Sequence, residues 1–123
     1  YSYARLYTKG NILKKHTDRE SCEFSITLNL GGSPWPLFLD TSKLDTLKIN
    51  LKPGDALVYQ GFKYSHWREA LAGDQCGQVF LHYIKPDNKD PSTEKYDFRP
   101  CLGITRHQST YLIDQIKRQR ENN

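Results

Sequence analysis

The chain has 123 residues, 37% hydrophobic and 12% aromatic, enough for one core but hardly two. Its net charge of +4 is modest, and no apolar run approaches the ~20 residues that a membrane-spanning helix needs. Its three cysteines, Cys22, Cys76 and Cys101, are an odd number that forms no paired framework, and none lies in a C-x-x-C, so reduced thiols in a cytoplasm-like compartment are expected.

The first residue, Tyr1, already falls inside a strand pattern, and the chain contains no Met. We therefore expect N-terminal elements to be missing, and no signal peptide is visible. From Tyr1 to Thr8, alternation puts Tyr1, Tyr3, Arg5 and Tyr7 on one face. Cys22 to Leu30 is the clearest strand, with Cys22, Phe24, Ile26, Leu28 and Leu30 on one side and Glu23, Ser25, Thr27 and Asn29 on the other. Gly31-Gly32-Ser33-Pro34 reads as a turn. Short strands follow at Trp35 to Leu39, around Leu47 to Leu51, at Ala56 to Tyr59 after the Pro53-Gly54-Asp55 turn, at Tyr64 to Trp67, and at Gln78 to Ile84. Trp35 is expected in the core, and Trp67 in the core or at a rim. From Lys85 to about Arg99 the chain is polar and proline-containing, so it reads as loop. Ser109 is placed to cap a terminal helix with Leu112, Ile113 and Ile116 as its apolar stripe. Lys117, Arg118 and Arg120 make that end basic, and His107 reads as a surface residue.

Short strands separated by turn chemistry predict a mainly β sandwich or barrel. Residues 1–84 would form the β domain, 85–108 a loop-rich extension and 109–123 a short basic C-terminal helix.

His16-Thr17-Asp18 and the distant His66 are the chemically informative residues. On an extended segment, His16 and Asp18 point the same way. A histidine from another strand could complete a facial set of two imidazoles and one carboxylate, which suits Fe(II) and leaves positions open for oxygen and a co-substrate. An H-x-D alone arises by chance in roughly one sequence in five, so the surroundings decide its weight.

Those surroundings are ordered. Tyr7-Thr8-Lys9-Gly10 precedes His16-Thr17-Asp18; a strand Phe24-Ser25-Ile26-Thr27-Leu28-Asn29-Leu30 and Gly31-Gly32 follow; then come Leu51-Lys52-Pro53-Gly54-Asp55-Ala56-Leu57-Val58-Tyr59 and His66. This order resembles the 2-oxoglutarate/Fe(II)-dependent dioxygenases, in particular their prolyl 4-hydroxylase-like branch, over about Tyr3 to Tyr83. The resemblance implies a double-stranded β-helix (jelly roll) with Fe(II) held by His16, Asp18 and His66. It implies that 2-oxoglutarate and molecular oxygen are consumed, that a C–H bond is hydroxylated, and that succinate and carbon dioxide are released. Ascorbate is compatible as an accessory reductant. An unidentified protein or small molecule would be the substrate, with peptidyl proline favoured on likeness alone.

The same resemblance implies that Tyr7 hydrogen-bonds the far carboxylate of 2-oxoglutarate and that Thr27 lines its pocket. A core tyrosine and an ordinary strand threonine are the alternatives. The chain departs from the family at the cation that pairs with that carboxylate, because the matching position is Cys76. Arg68 is the candidate substitute: it shares a strand face with His66, and its fork suits a carboxylate. The alternative is an ion pair with Glu69 or another acid. Arg5, which shares a face with Tyr7, is second choice, and Gln78 could supply a neutral hydrogen bond if a two-residue insertion shifts the register. Rival readings are a non-catalytic jelly-roll metal- or ligand-binding module and a nucleic-acid demethylase. The absence of a base-stacking aromatic cluster along a basic stripe argues against a nucleic-acid partner.

Overall fold

The computed structural model describes residues 1–41 and 45–85. The expected extension 85–108, with Cys101 and His107, and the helix at 109–123 lie outside these residues, apart from Lys85. Among the described residues there are eight strands: β1 (Ser2–Thr8), β2 (Leu13–His16), β3 (Phe24–Gly32), β4 (Leu37–Asp40), β5 (Thr46–Ile49), β6 (Ala56–Tyr59), β7 (His66–Arg68) and β8 (Gln75–Tyr83). They form two four-stranded sheets, ordered β1-β8-β3-β6 and β2-β7-β4-β5. All pairings are antiparallel. Dealing successive strands between two antiparallel sheets in this way is the jelly-roll, or double-stranded β-helix, architecture. No described helix is long and apolar enough to cross a membrane.

Strand β2 is not among those expected, and most of the other strand ends move by one to three residues; two differences bear on the site. The Gly31-Gly32 pair is not a turn: β3 runs on through it, and Gly32 pairs with Cys76 after a register shift between Asn29 and Gly31. Gly32 has a φ of 101°, and a Cβ there would sit 2.3 Å from the Gln75 carbonyl oxygen, so only glycine fits. Strand β8 begins at Gln75, three residues before the expected Gln78, because β1 pairs with Gln75 to Gly77 and the end of β3 with Cys76 and Gly77.

Inward-facing polar residues decide where the site sits. Along β3 the alternation is as expected, but Ser25, Thr27 and Asn29 are buried while Phe24 and Leu30 are exposed. On β8, Gln78, Phe80 and His82 are buried. The sheet of β1, β8, β3 and β6 therefore turns a mixed surface toward the interior, polar along β3 and at Gln78 and His82 of β8. Its outer surface carries Leu6 and Val58, exposed at 61% and 62%. Two apolar clusters hold the sheets: Tyr7, Trp35, Leu71, Cys76 and Phe80 form one, and Leu37, Leu39 and Tyr59 form the other. Trp35 is a core residue, as expected, and its indole N–H donates to the Glu69 carbonyl (2.7 Å).

Trp67 is neither in a core cluster nor at the cavity. It stacks on Phe38 (centroids 5.4 Å, interplanar angle 13°). The Lys15 ammonium lies over Trp67 at 4.4 Å, and that of Lys48 over Phe38 at 5.8 Å. This aromatic and basic stripe joins β2, β7, β4 and β5, so sequence separation concealed it. Each ring is in contact with the other and with an ammonium group.

Candidate metal centre

The pairing of β2 with β7 brings the two histidines together. Leu13 pairs with Arg68 and His16 with His66, which leaves an extra residue on β2 between those pairs. Such a bulge turns the following side chain, so Leu13 and His16, three residues apart, both line the same cavity. The two imidazoles stand 4.4 Å apart, centroid to centroid. Asp18 lies just past the end of β2, not on a regular strand as the H-x-D pattern implied. Its backbone N–H donates to the Gly61 carbonyl at 2.9 Å, tying it to the end of β6.

Asp18 Oδ1 lies 3.5 Å from His16 Nε2 and 3.6 Å from His66 Nε2. Two donors each ~2.1 Å from one ion lie about 3.0–3.4 Å apart for angles between 90° and 109°, so these three atoms are close to shared-ligand spacing. Both imidazoles are fixed by the same device. His16 Nδ1–H donates to Lys14 O (2.7 Å), and His66 Nδ1–H donates to Tyr64 O (3.0 Å). In the neutral rings this leaves the Nε2 lone pairs facing Asp18, the tautomer a metal ligand needs. The donor set fits a divalent transition metal on atom type, tautomer and spacing.

The charges agree with that role. Burial acts to raise the Asp18 carboxyl, yet the hydrogen bonds from His16 and Ser25 and the neighbouring His66 hold it below its ordinary value. Asp18 raises the His16 imidazole above its ordinary value, against a smaller opposing effect of burial. Burial lowers His66 and so favours its neutral form. The His16 side chain is 38% exposed and that of His66 only 3%, which makes His16 the open side of the site.

A small cavity of about 70 Å³ joins the triad to Tyr7, Thr27 and Arg68, and also reaches Arg5 and His82. Arg68 is 2% exposed. Its guanidinium donates to the Trp35 carbonyl and to Gln78 Oε1 (3.3 Å), and it lies 4.9 Å over the Trp35 ring. Both acceptors are neutral. Among the described residues no carboxylate pairs with Arg68, Glu69 included. Tyr7 is buried, with Arg5 over its ring at 5.1 Å; it belongs to both a core cluster and the cavity wall. Thr27 lines the cavity and donates to Gln78 Oε1 (3.1 Å). Gln78 does not line the cavity: it sits behind the wall, 1% exposed, accepting from Thr27 and Arg68. Cys76 is buried beside Gln78 (3.1 Å).

Several site residues carried no motif. Ser25 donates to Asp18 Oδ2 at 2.9 Å. Gly61 has no room for a side chain, since a Cβ would come within 2.0 Å of Asp18 Oδ2 and 2.4 Å of Ser25 Oγ. His82 and Phe80 alternate inward from β8. The inward phase of β3 and β8 was the available signal, and it is visible only once the polar side is known to face in. A second group able to hold a metal, Asp18, Cys22 and His82, shares Asp18 with the first.

No protein-family model and no curated protein matches the chain. Among solved structures, the chain is similar to a Pseudomonas putida prolyl-4-hydroxylase with a TM-score of 0.60 at 16% identity, over 68% of this chain and 51% of that one. It thus spans about half the length of that protein. KdgF from a Halomonas species matches with a TM-score of 0.48 at 19% identity, over 70% of this chain and 71% of that one. A cupin domain from Bordetella pertussis matches with a TM-score of 0.49 at 11% identity, over 68% and 80%. The first of these likenesses establishes the fold as a double-stranded β-helix of the kind that prolyl-4-hydroxylase has.

Proposed function

We propose that the chain carries the active site of an Fe(II)- and 2-oxoglutarate-dependent dioxygenase that hydroxylates a C–H bond. One observation carries this reading. A buried arginine that meets no carboxylate among the described residues opens onto the same small cavity as a His-Asp-His triad. A buried cation is costly unless a charge meets it. A dicarboxylate with a keto group at one end matches both features: metal-binding atoms at one end and an anion for Arg68 at the other.

His16, Asp18 and His66 would hold Fe(II), whose chemistry when bound is oxygen activation. Arg68 would take the far carboxylate through its fork. Tyr7 would donate its phenol to the same group; burial keeps that phenol protonated by raising its pKa. Arg5 would add positive charge at the outer edge. Gln78 and the Trp35 carbonyl fix the guanidinium plane, and Thr27 fixes Gln78. Leu13, Leu37 and Phe80 contribute apolar side chains to the cavity wall. In this arrangement Arg68 replaces the cation that related enzymes carry where this chain has Cys76. Peptidyl proline is the favoured substrate, by likeness to a protein described as a prolyl-4-hydroxylase.

Calorimetry on the Mn(II)-loaded chain tests the reading without turnover. One 2-oxoglutarate should bind per metal, with no binding to metal-free protein or to the His66→Ala variant. With Fe(II) and air, succinate should then appear. Metal-loaded, folded protein that ignores 2-oxoglutarate would leave a metal-binding β-helix module instead.

A further inference from the structure

We propose that Ser25 and His82 are positioning residues for Asp18, joined in a directed hydrogen-bond chain that commits the carboxylate to offer one oxygen to the metal. This inference rests on the triad being a metal centre.

The two oxygens of Asp18 have different surroundings. Oδ1 faces His16 Nε2 and His66 Nε2. Oδ2 points away from them, into the space between Ser25 and Gly61. The Ser25 hydroxyl has a single proton and donates it to Oδ2 at 2.9 Å. Ser25 Oγ also lies 3.1 Å from His82 Nδ1. With its own proton committed, the hydroxyl can only accept there, so Nδ1 must carry a hydrogen. The chain therefore runs His82 Nδ1–H to Ser25 Oγ–H to Asp18 Oδ2. Ser25 is 1% exposed and His82 7%, so water is a poor substitute for either.

The placement is built in by strand pairing. Ser25 on β3 pairs with His82 on β8 and with Tyr59 on β6, and Gly61 follows two residues later. The missing side chain at Gly61 makes room for Oδ2. The chain thus holds the carboxylate from behind, while its lone pairs on Oδ1 remain for the metal. Freed from it, Asp18 could rotate or present both oxygens to the ion. Outer partners of metal ligands typically contribute about 10–100-fold in affinity.

Cys22 provides the discriminating control. Asp18, Cys22 and His82 are close enough to hold a metal of their own. The relay uses His82 as a hydrogen-bond donor and does not use Cys22 at all. The two roles separate in Co(II) titrations read by visible absorption, where band intensity and position report coordination number independently of turnover. The unsubstituted chain should bind one Co(II). Ser25→Ala and His82→Leu should each bind it about 10–100-fold more weakly, with altered band intensity as Asp18 changes its mode. Ser25→Thr keeps the hydroxyl, and His82→Asn keeps an N–H donor near the Nδ1 position. At least one of these conservative variants should restore the original spectrum. Cys22→Ala should bind as the unsubstituted chain does. Circular dichroism of metal-free variants separates loss of fold from loss of positioning.

Folded Ser25→Ala and His82→Leu variants with unchanged affinity and spectrum would overturn the relay while leaving the metal centre standing. Two Co(II) per chain, with one lost in Cys22→Ala, would overturn it in favour of a second metal site. No Co(II) binding by the folded, unsubstituted chain would remove both the metal centre and the relay.

Discussion

Replacing Arg68 with methionine should separate ligand binding from stability. The guanidinium is 2% exposed and has two neutral acceptors. Burying a charge costs several kcal/mol after relaxation. Against this, two hydrogen bonds from a charged donor contribute about 1.5–3 kcal/mol each, and the contact over Trp35 about 0.5–2 kcal/mol. These terms nearly cancel, and methionine fills much of the volume. The metal-free variant should therefore unfold within about 2 kcal/mol of the unsubstituted chain. Binding of 2-oxoglutarate is a different matter, because it would leave a carboxylate without its cation. Breaking such a buried pair costs about 3–5 kcal/mol, or roughly 10²–10⁴ in affinity. Urea unfolding and calorimetric titration of the Mn(II)-loaded proteins measure the two effects. Affinity for 2-oxoglutarate within threefold of the unsubstituted chain would refute the assignment of Arg68. Unfolding easier by more than about 4 kcal/mol would show that Arg68 is mainly a structural strut.

Two further outcomes follow from the geometry of the triad. Gly61→Ala puts a methyl 2.0 Å from Asp18 Oδ2, so Mn(II) affinity should fall about 10–100-fold while the β circular dichroism spectrum persists; unchanged affinity would mean Asp18 is not held there. Metal binding should also release protons in a way that distinguishes the histidines. His16 is raised by Asp18, so its stabilising charge is present below about pH 6.5 and is lost as pH rises through its higher folded value. His66 is lowered by burial, so its contribution is present above about pH 6.5 and fades as pH falls toward its lower folded value. A metal must displace the proton on His16 but meets His66 already neutral. Near pH 6.5, calorimetry in buffers of different ionisation enthalpy should show release of at most about one proton, with affinity rising at higher pH. Release approaching two would contradict the neutral form of His66.

The His16, Asp18 and His66 grouping was legible because chemistry restricts the residue types able to hold a metal, and the ordered turns around them locate the strands. The face shared by His66 and Arg68 was legible for the same reason: period-two alternation survives on β7. What alternation could not disclose was which side of β3 faces inward. Apolar residues normally mark the buried side, yet here Ser25, Thr27 and Asn29 are buried, each hydrogen-bonded to other interior groups. The bulge that aims His16 depends on register against β7, which is a property of two strands and not of either sequence. Gly61 carries no motif; the space it leaves for a carboxylate depends on Asp18 arriving from elsewhere in the chain. Gln78 read as a ligand contact only on a register shifted by two residues; the structure puts it behind Arg68 and Thr27, from which it accepts.

The most direct measurement is the visible spectrum of the Fe(II)-loaded chain when 2-oxoglutarate is added without oxygen. A metal-to-ligand charge-transfer band should appear and saturate at one 2-oxoglutarate per iron. It should be absent from His16→Ala, and it should need much more 2-oxoglutarate in Arg68→Met. A folded chain that binds iron at His16, Asp18 and His66 yet gives no band at saturating 2-oxoglutarate would contradict the account.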